Sequence, residues 1–158
     1  MTNHNHAHPE EDSRYTVLTE VMDPTMANFY GNVHGGNILK LLDQVAYACA
    51  SRYSRKPTVT LSVDQVVFKE PIHVGEIVTF YACVNYVGRT SMEIGIRVVA
   101  ENILKNTKRH TNTSYITMVA IDENGKPTAV PPLALNTDTQ KRRFEAAKLR
   151  RESRLKQK

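Results

Sequence analysis

Two cysteines, Cys49 and Cys83, are all that the 158-residue sequence offers. That is too few for a disulfide framework, and they read as buried, reduced thiols of a cytosolic chain. No apolar run approaches the 18 residues of a membrane-spanning helix. The N-terminus has no apolar h-region, so a secretory signal is not expected and a cytoplasmic location is. His4, His6 and His8 lack the Cys or carboxylate companions of a metal cage and read as part of a solvated tail. The net charge of +5 is confined to one end. Residues 141–158 carry nine Lys/Arg against two Glu, whereas residues 1–140 carry twelve Lys/Arg against fourteen Asp/Glu. The basic tail also lacks interleaved aromatics, Phe144 being its only one, which argues against stacking on nucleic acid. With 41% hydrophobic and 23% charged residues, the remainder reads as one soluble globular domain.

What is present is organised around residues 31–50. A glycine-rich turn, Gly31-Asn32-Val33-His34-Gly35-Gly36-Asn37, feeds a helix expected from about Gly36 to Tyr53. At 100° per residue, Leu42, Ile38, Cys49, Val45, Leu39 and Ala46 share an apolar arc, and Lys40, Tyr47 and Gln44 form a narrow polar strip. Asp43 falls on the border, so its carboxylate is expected to be partly buried. The helix start supplies unpaired N–H groups and the positive dipole end, and the glycines permit close approach to that backbone. An electrophilic pocket and a carboxylate therefore lie about two helical turns apart.

Around this helix the sequence alternates in strands. Tyr15–Met22 is one, ended by Asp23-Pro24. In Thr58–Phe68 the apolar residues fall on odd numbers at Val59, Leu61 and Val63 and on even numbers at Val66 and Phe68. That slip predicts a bulge at Asp64-Gln65, either re-aiming one of them toward a pocket or simply kinking an edge strand. Ile77–Val87, Ser91–Glu101 and about Lys108–Asp122 complete an antiparallel meander with short links. Strand, long helix, then four strands is an α+β arrangement in which the sheet wraps the helix. One layer of helix cannot cover both sheet faces, so dimerisation is expected. Residues 137–157 read as a charged helix whose default is a solvated face, projecting or packed on a neighbouring subunit. The expected division is a disordered tail over 1–14, a domain over 15–132 and a basic helix over 133–158.

Asn32-Val33-His34-Gly35-Gly36 with Leu-Leu-Asp on the following helix, Ser62-Val63-Asp64, Phe68-Lys69-Glu70-Pro71-Ile72-His73-Val74-Gly75-Glu76, Val87-Gly88-Arg89-Thr90-Ser91-Met92-Glu93 and Ala100-Glu101-Asn102 occur in that order. Over about residues 15–132 this resembles the hotdog-fold acyl-CoA thioesterases, the cytosolic acyl-CoA hydrolases and their bacterial single-domain relatives above all. The resemblance implies hydrolysis of fatty acyl-CoA to free acid and CoA, without a cofactor beyond the CoA of the substrate. It implies a dimer, or a hexamer built as a trimer of dimers, with sites shared between subunits. The basic tail could meet RNA or an acidic membrane surface, but no nucleic-acid or membrane partner is expected. Asn32 and Asp43 match the family's catalytic asparagine and acidic helix residue. Taken alone, they would read as a turn former and a helix-surface residue. Asp43 would be general base or nucleophile, the residues leaving both open. His34, Gly35 and Gly36 would line the oxyanion site at the helix start, although His34 serves equally as a loop hydrogen-bonder. Arg89, with Gly88, Thr90 and Ser91, would meet CoA phosphates or form an ordinary hairpin turn; Lys69 and Arg52 are further candidates. The alternative function is a non-catalytic acyl-CoA or nucleotide binder, against which the retained Asp43 argues. The paired Asp and His motif of hydratases on a related fold is not seen.

Overall fold

The computed structural model describes residues 12–64 and 66–157. The expected disorder of residues 1–11, their histidines and the orientation of Gln65 lie outside the described residues. Residues 12–14, expected in the tail, belong to the fold: Arg14 is buried, pairs with Asp12 at 3.0 Å and gives its carbonyl to Val84 N–H at 2.9 Å.

Five strands form one antiparallel sheet: β1 (Tyr15–Val21), β2 (Thr58–Val63), β3 (Ile77–Val87), β4 (Ser91–Asn102) and β5 (Thr107–Ala120), in the order β1-β3-β4-β5-β2. Period-two alternation on β3, β4 and β5 turns Val78, Phe80, Ala82, Val84, Met92, Ile94, Ile96, Val98, Ile116, Met118 and Ala120 to one face, where all are buried. Helix α1 (Gly35–Ser54) lies on that face and buries Ile38, Leu41, Leu42, Val45, Ala46, Cys49 and Ala50. Arg55, in the left-handed region at φ 58°, closes it. No helix among the described residues is long and apolar enough to cross a membrane.

The apolar arc of α1 is narrower than the helical wheel predicts. Leu39 is 42% exposed and stands with Lys40, Asp43, Gln44 and Tyr47 on an open stripe. The sheet embraces one side of the helix, so Asp43 is exposed in the single chain rather than partly buried.

β2 departs further. Its irregularity lies between Thr60 and Ser62, and the strand ends at Val63, before the position of the expected bulge. Asp64 N–H still reaches Tyr115 O at 3.0 Å, but Val67 and Phe68 are exposed and Pro71 has no N–H to donate. The apolar alternation misleads here: Thr58 and Thr60 turn toward α1, and Val59, Leu61 and Val63 are about half exposed on the edge strand.

Helix α2 (Asp138–Lys156) is neither projecting nor merely solvated. Thr137 and Gln140 form a capping box at its start. It then lies on the second face of its own sheet. Ala147 is buried, and the Phe144 ring sits 4.8 Å from that of Tyr86. Arg150 donates to both Glu93 oxygens, at 2.7 and 3.1 Å, with its guanidinium 3.6 Å from the Tyr115 ring centroid. Arg154 reaches Asp64 at 3.4 Å. The charge run finds its partners on and beside the sheet, so α2 supplies the second helical layer within the chain, and covering both sheet faces does not by itself require a dimer.

Candidate active site

The loop before α1 is built on Asn28 and Asn32. Asn28 Oδ1 accepts from Tyr30 N–H at 2.9 Å and Asn32 N–H at 3.1 Å, and Asn32 O accepts from Asn28 N–H at 2.6 Å. Gly31, at φ 79°, provides the left-handed residue that this tight loop requires. Asn32 bridges His73 through the backbone, and its Oδ1 accepts from His73 Nδ1 at 2.9 Å. His73 N–H in turn donates to Glu76 at 2.8 Å. Burial works to raise the Glu76 pKa, but the bidentate Arg109 guanidinium and the His73 N–H hold it below the ordinary carboxylate value.

His34 caps α1. Its Nδ1 accepts from Gly36 N–H at 3.0 Å, which puts the proton of the neutral ring on Nε2. Gly36 N–H is thereby committed, whereas Gly35 N–H has no partner among the described residues. The Phe68 ring lies 3.5 Å from where a Cβ on Gly35 would stand, so one wall of this pocket is aromatic. Of the three residues expected at the oxyanion site, His34 is the cap, Gly36 is used by the cap, and Gly35 carries the free donor.

Asp43 faces a different space. Its Oδ1 accepts from Thr60 Oγ1 at 2.5 Å, and Asp43 lines a cleft of about 400 Å³ together with Gln44, Tyr47, Thr58, Val59, Thr60 and Met118. Eight residues separate Gly35 from Asp43, or about 12 Å along the axis at 1.5 Å per residue. One chain therefore does not bring the free donor and the carboxylate together.

The expected CoA contacts also divide. The Gly88–Ser91 turn is closed by Gly88 N–H to Ser91 O at 2.8 Å; it leaves Arg89 exposed with no ion pair among the described residues. Lys69 lies beside Thr111, whose hydroxyl meets Val98 O. Val98 is seven residues along β4 from Ser91, or about 23 Å. Lys69 and the turn are thus at opposite ends of the sheet in one chain. Arg52 donates to Thr16 Oγ1 at 3.3 Å. Of the cysteines, Cys49 is buried, which pushes its thiol up to about 12, and burial also raises that of half-buried Cys83.

The sequence does not single out Asn28 or Thr60, and His73 stands out only within the Phe68–Glu76 motif. Thr60 stands in a strand whose valines dominate its pattern, and Asn28 resembles any loop asparagine.

The thioesterase superfamily matches residues 30–106. Protein VdlD of Helicobacter pylori is 50% identical over 143 residues, spanning 90% of this chain and 82% of its own. YkhA of Bacillus subtilis, described as an uncharacterized acyl-CoA thioester hydrolase, is 34% identical over 77% of this chain and 71% of its own. The chain belongs to the acyl-CoA thioester hydrolase family of the thioesterase superfamily. Its hotdog fold is shared with solved family members. An apo-hexameric acyl-CoA thioesterase superposes with a TM-score of 0.87 at 36% identity, covering 92% of this chain and 93% of that one. An acyl-CoA hydrolase from Staphylococcus aureus, solved with butyryl-CoA, CoA and CoA disulfide, gives 0.84 at 29% identity, covering 92% and 88%. Variants of that hydrolase with alanine in place of one asparagine, one aspartate and one threonine have also been solved. The three positions are spaced by fifteen and seventeen residues, the intervals from Asn28 to Asp43 and from Asp43 to Thr60 in this family member.

Proposed function

We propose that this chain hydrolyses acyl-CoA to a free carboxylic acid and CoA at a site shared by two subunits. The observation that carries the reading is the Thr60–Asp43 hydrogen bond, with Asn28 at the matching interval and an unengaged Gly35 N–H at the start of α1. Gly35 N–H and the helix dipole would polarise the thioester carbonyl and hold the oxyanion. Asp43 of the other subunit, oriented by Thr60, would take a proton from the attacking water. The new C–O bond forms, the C–S bond breaks, and the proton passes to the leaving thiolate. Direct attack by Asp43 through an anhydride gives the same products.

The asparagine in this mechanism is Asn28. Its Oδ1 is held by two backbone N–H groups, which fixes the carboxamide and leaves Nδ2 to meet a carbonyl or water. Asn32 Oδ1 is taken by His73, so Asn32 closes the loop that carries Asn28 and His34. Arg89, with Gly88, Thr90 and Ser91, would take the CoA phosphates, and Lys69 would reach the same CoA only from another chain.

Thiol release from acyl-CoAs of increasing chain length tests the reading. Wild type should release CoA in the presence of a chelator, since no step uses a metal. Asn28→Ala should lose at least about a hundredfold in kcat, a loss of the size that removal of one oxyanion donor causes. Stoichiometric CoA binding without release, or an Asn28→Ala variant as active as wild type, would contradict it.

A further inference from the structure

Two polar side chains interrupt the apolar inner face of the sheet. Asn112 and Ser114 alternate with Ile116 and Met118 on β5, opposite the fully buried Val98 and Ile96 of β4. Asn112 is 1% exposed and Ser114 0%. Among the described residues, neither carboxamide atom of Asn112 nor the Ser114 hydroxyl has a hydrogen-bond partner. Buried amides and hydroxyls are almost always satisfied, and an orphan calls for a partner beyond the described residues, such as an ordered water or a bound ligand.

Loop contacts tie this end of β5 to the start of α1. Arg109, on the same stretch of β5, donates to Pro71 O at 2.9 Å, and Lys69 N–H meets Thr111 O at 3.4 Å. The Phe68 ring lies 3.5 Å from where a Cβ on Gly35 would stand, and Val33 N–H reaches Ile72 O at 2.8 Å. Residues 68–72 therefore join this end of β5 to the helix start, and Asn112 and Ser114 lie on the floor below it. A thioester held at Gly35 N–H has CoA on one side and the acyl group on the other. The charged CoA must stay in solvent, which leaves the covered interior to the acyl group.

Resting on the hydrolase reading above, we propose that Asn112 and Ser114 form the polar end of the acyl pocket and select short acyl groups bearing a hydroxyl or oxo group over plain alkyl chains of the same length. Asn112 Nδ2 donates, its Oδ1 accepts, and Ser114 Oγ does either, so a substrate hydroxyl can be satisfied both as donor and as acceptor. A plain alkyl chain would occupy the pocket and leave the pair unpartnered. Sites built to hydrogen-bond a substrate group reject the analogue that lacks it.

The test is kcat/KM of the intact protein for 3-hydroxybutyryl-CoA against butyryl-CoA. Wild type should favour the hydroxyacyl substrate by about tenfold, equivalent to ~1.4 kcal/mol. Asn112→Val and Ser114→Ala should each bring the ratio toward one, chiefly by raising activity on butyryl-CoA. A wild-type ratio at or below one would overturn the proposal. So would variants whose ratio is unchanged because both substrates lose activity in parallel, as expected if the pair only holds internal water. Should Asn112→Val fail to fold by circular dichroism, Ser114→Ala, which removes a single oxygen, decides the matter. If other acyl-CoAs are cleaved but neither of these two, the specificity is wrong and the hydrolase reading stands. If none is cleaved, the hydrolase reading falls and the specificity with it.

Discussion

Helices α1 and α2 are almost equally long, 20 and 19 residues, and lie on opposite faces of one sheet, yet they are held by different physics. α1 buries seven apolar side chains against a face built of Ile, Val, Met and Phe. α2 buries one, Ala147, and is fastened by Arg150 to Glu93 and Tyr115, by Phe144 to Tyr86 and by Arg154 to Asp64. Apolar burial fixes a helix along its whole length. A charged clasp fixes it at points, and each point depends on a partner that sequence periodicity does not reveal. The proposed site follows the same division: Gly35 and Asp43 both stand on the firmly seated helix, at the first turn and on the open stripe.

Substitutions on the two helices should separate these modes. Leu42→Ala on α1 removes a fully buried side chain and should cost about 3–5 kcal/mol by denaturant unfolding. A loss below about 1 kcal/mol would mean that α1 is not the core element described. Arg150→Met on α2 strands Glu93, whose side chain is 3% exposed. Because the Arg150 side chain is itself 27% exposed, the expected cost is lower, about 2–3 kcal/mol. The double variant Arg150→Met/Glu93→Leu should recover much of that loss, and no recovery would show that the ion pair is not what the single variant breaks. Arg154→Gln loosens only the half-open contact to Asp64 and should cost under about 1 kcal/mol, less still in high salt.

Much of this was legible beforehand. The 3.6-residue period of Ile38, Leu42, Val45 and Cys49 announces α1, and the alternation through Met92–Val98 announces β4 and its inner face. The motifs point to the hotdog fold and the family. Other features were not legible, for identifiable reasons. The docking of α2 depends on Glu93 being buried, which its place in an alternating strand does not disclose. The facing of β2 inverts the usual inference, because an edge strand turned its valines outward and its threonines toward α1. Asn28 hides in a loop where asparagine is ordinary, and only its two backbone hydrogen bonds and the Asn28–Asp43–Thr60 intervals single it out.

In the proposed mechanism Asp43 of one subunit works with Asn28 and Gly35 of another. The pairing rests on the distance of about 12 Å between the start of α1 and Asp43 in one chain, against the contact of about 3 Å that proton transfer needs. The most direct measurement is to mix two inactive variants, Asn28→Ala and Asp43→Asn, under conditions of subunit exchange, and to follow thiol release while native mass spectrometry confirms mixed oligomers. A mixed dimer holds one site with both residues intact, so activity should recover in part, in proportion to the mixed species. Mixed dimers that form and remain inactive would contradict it.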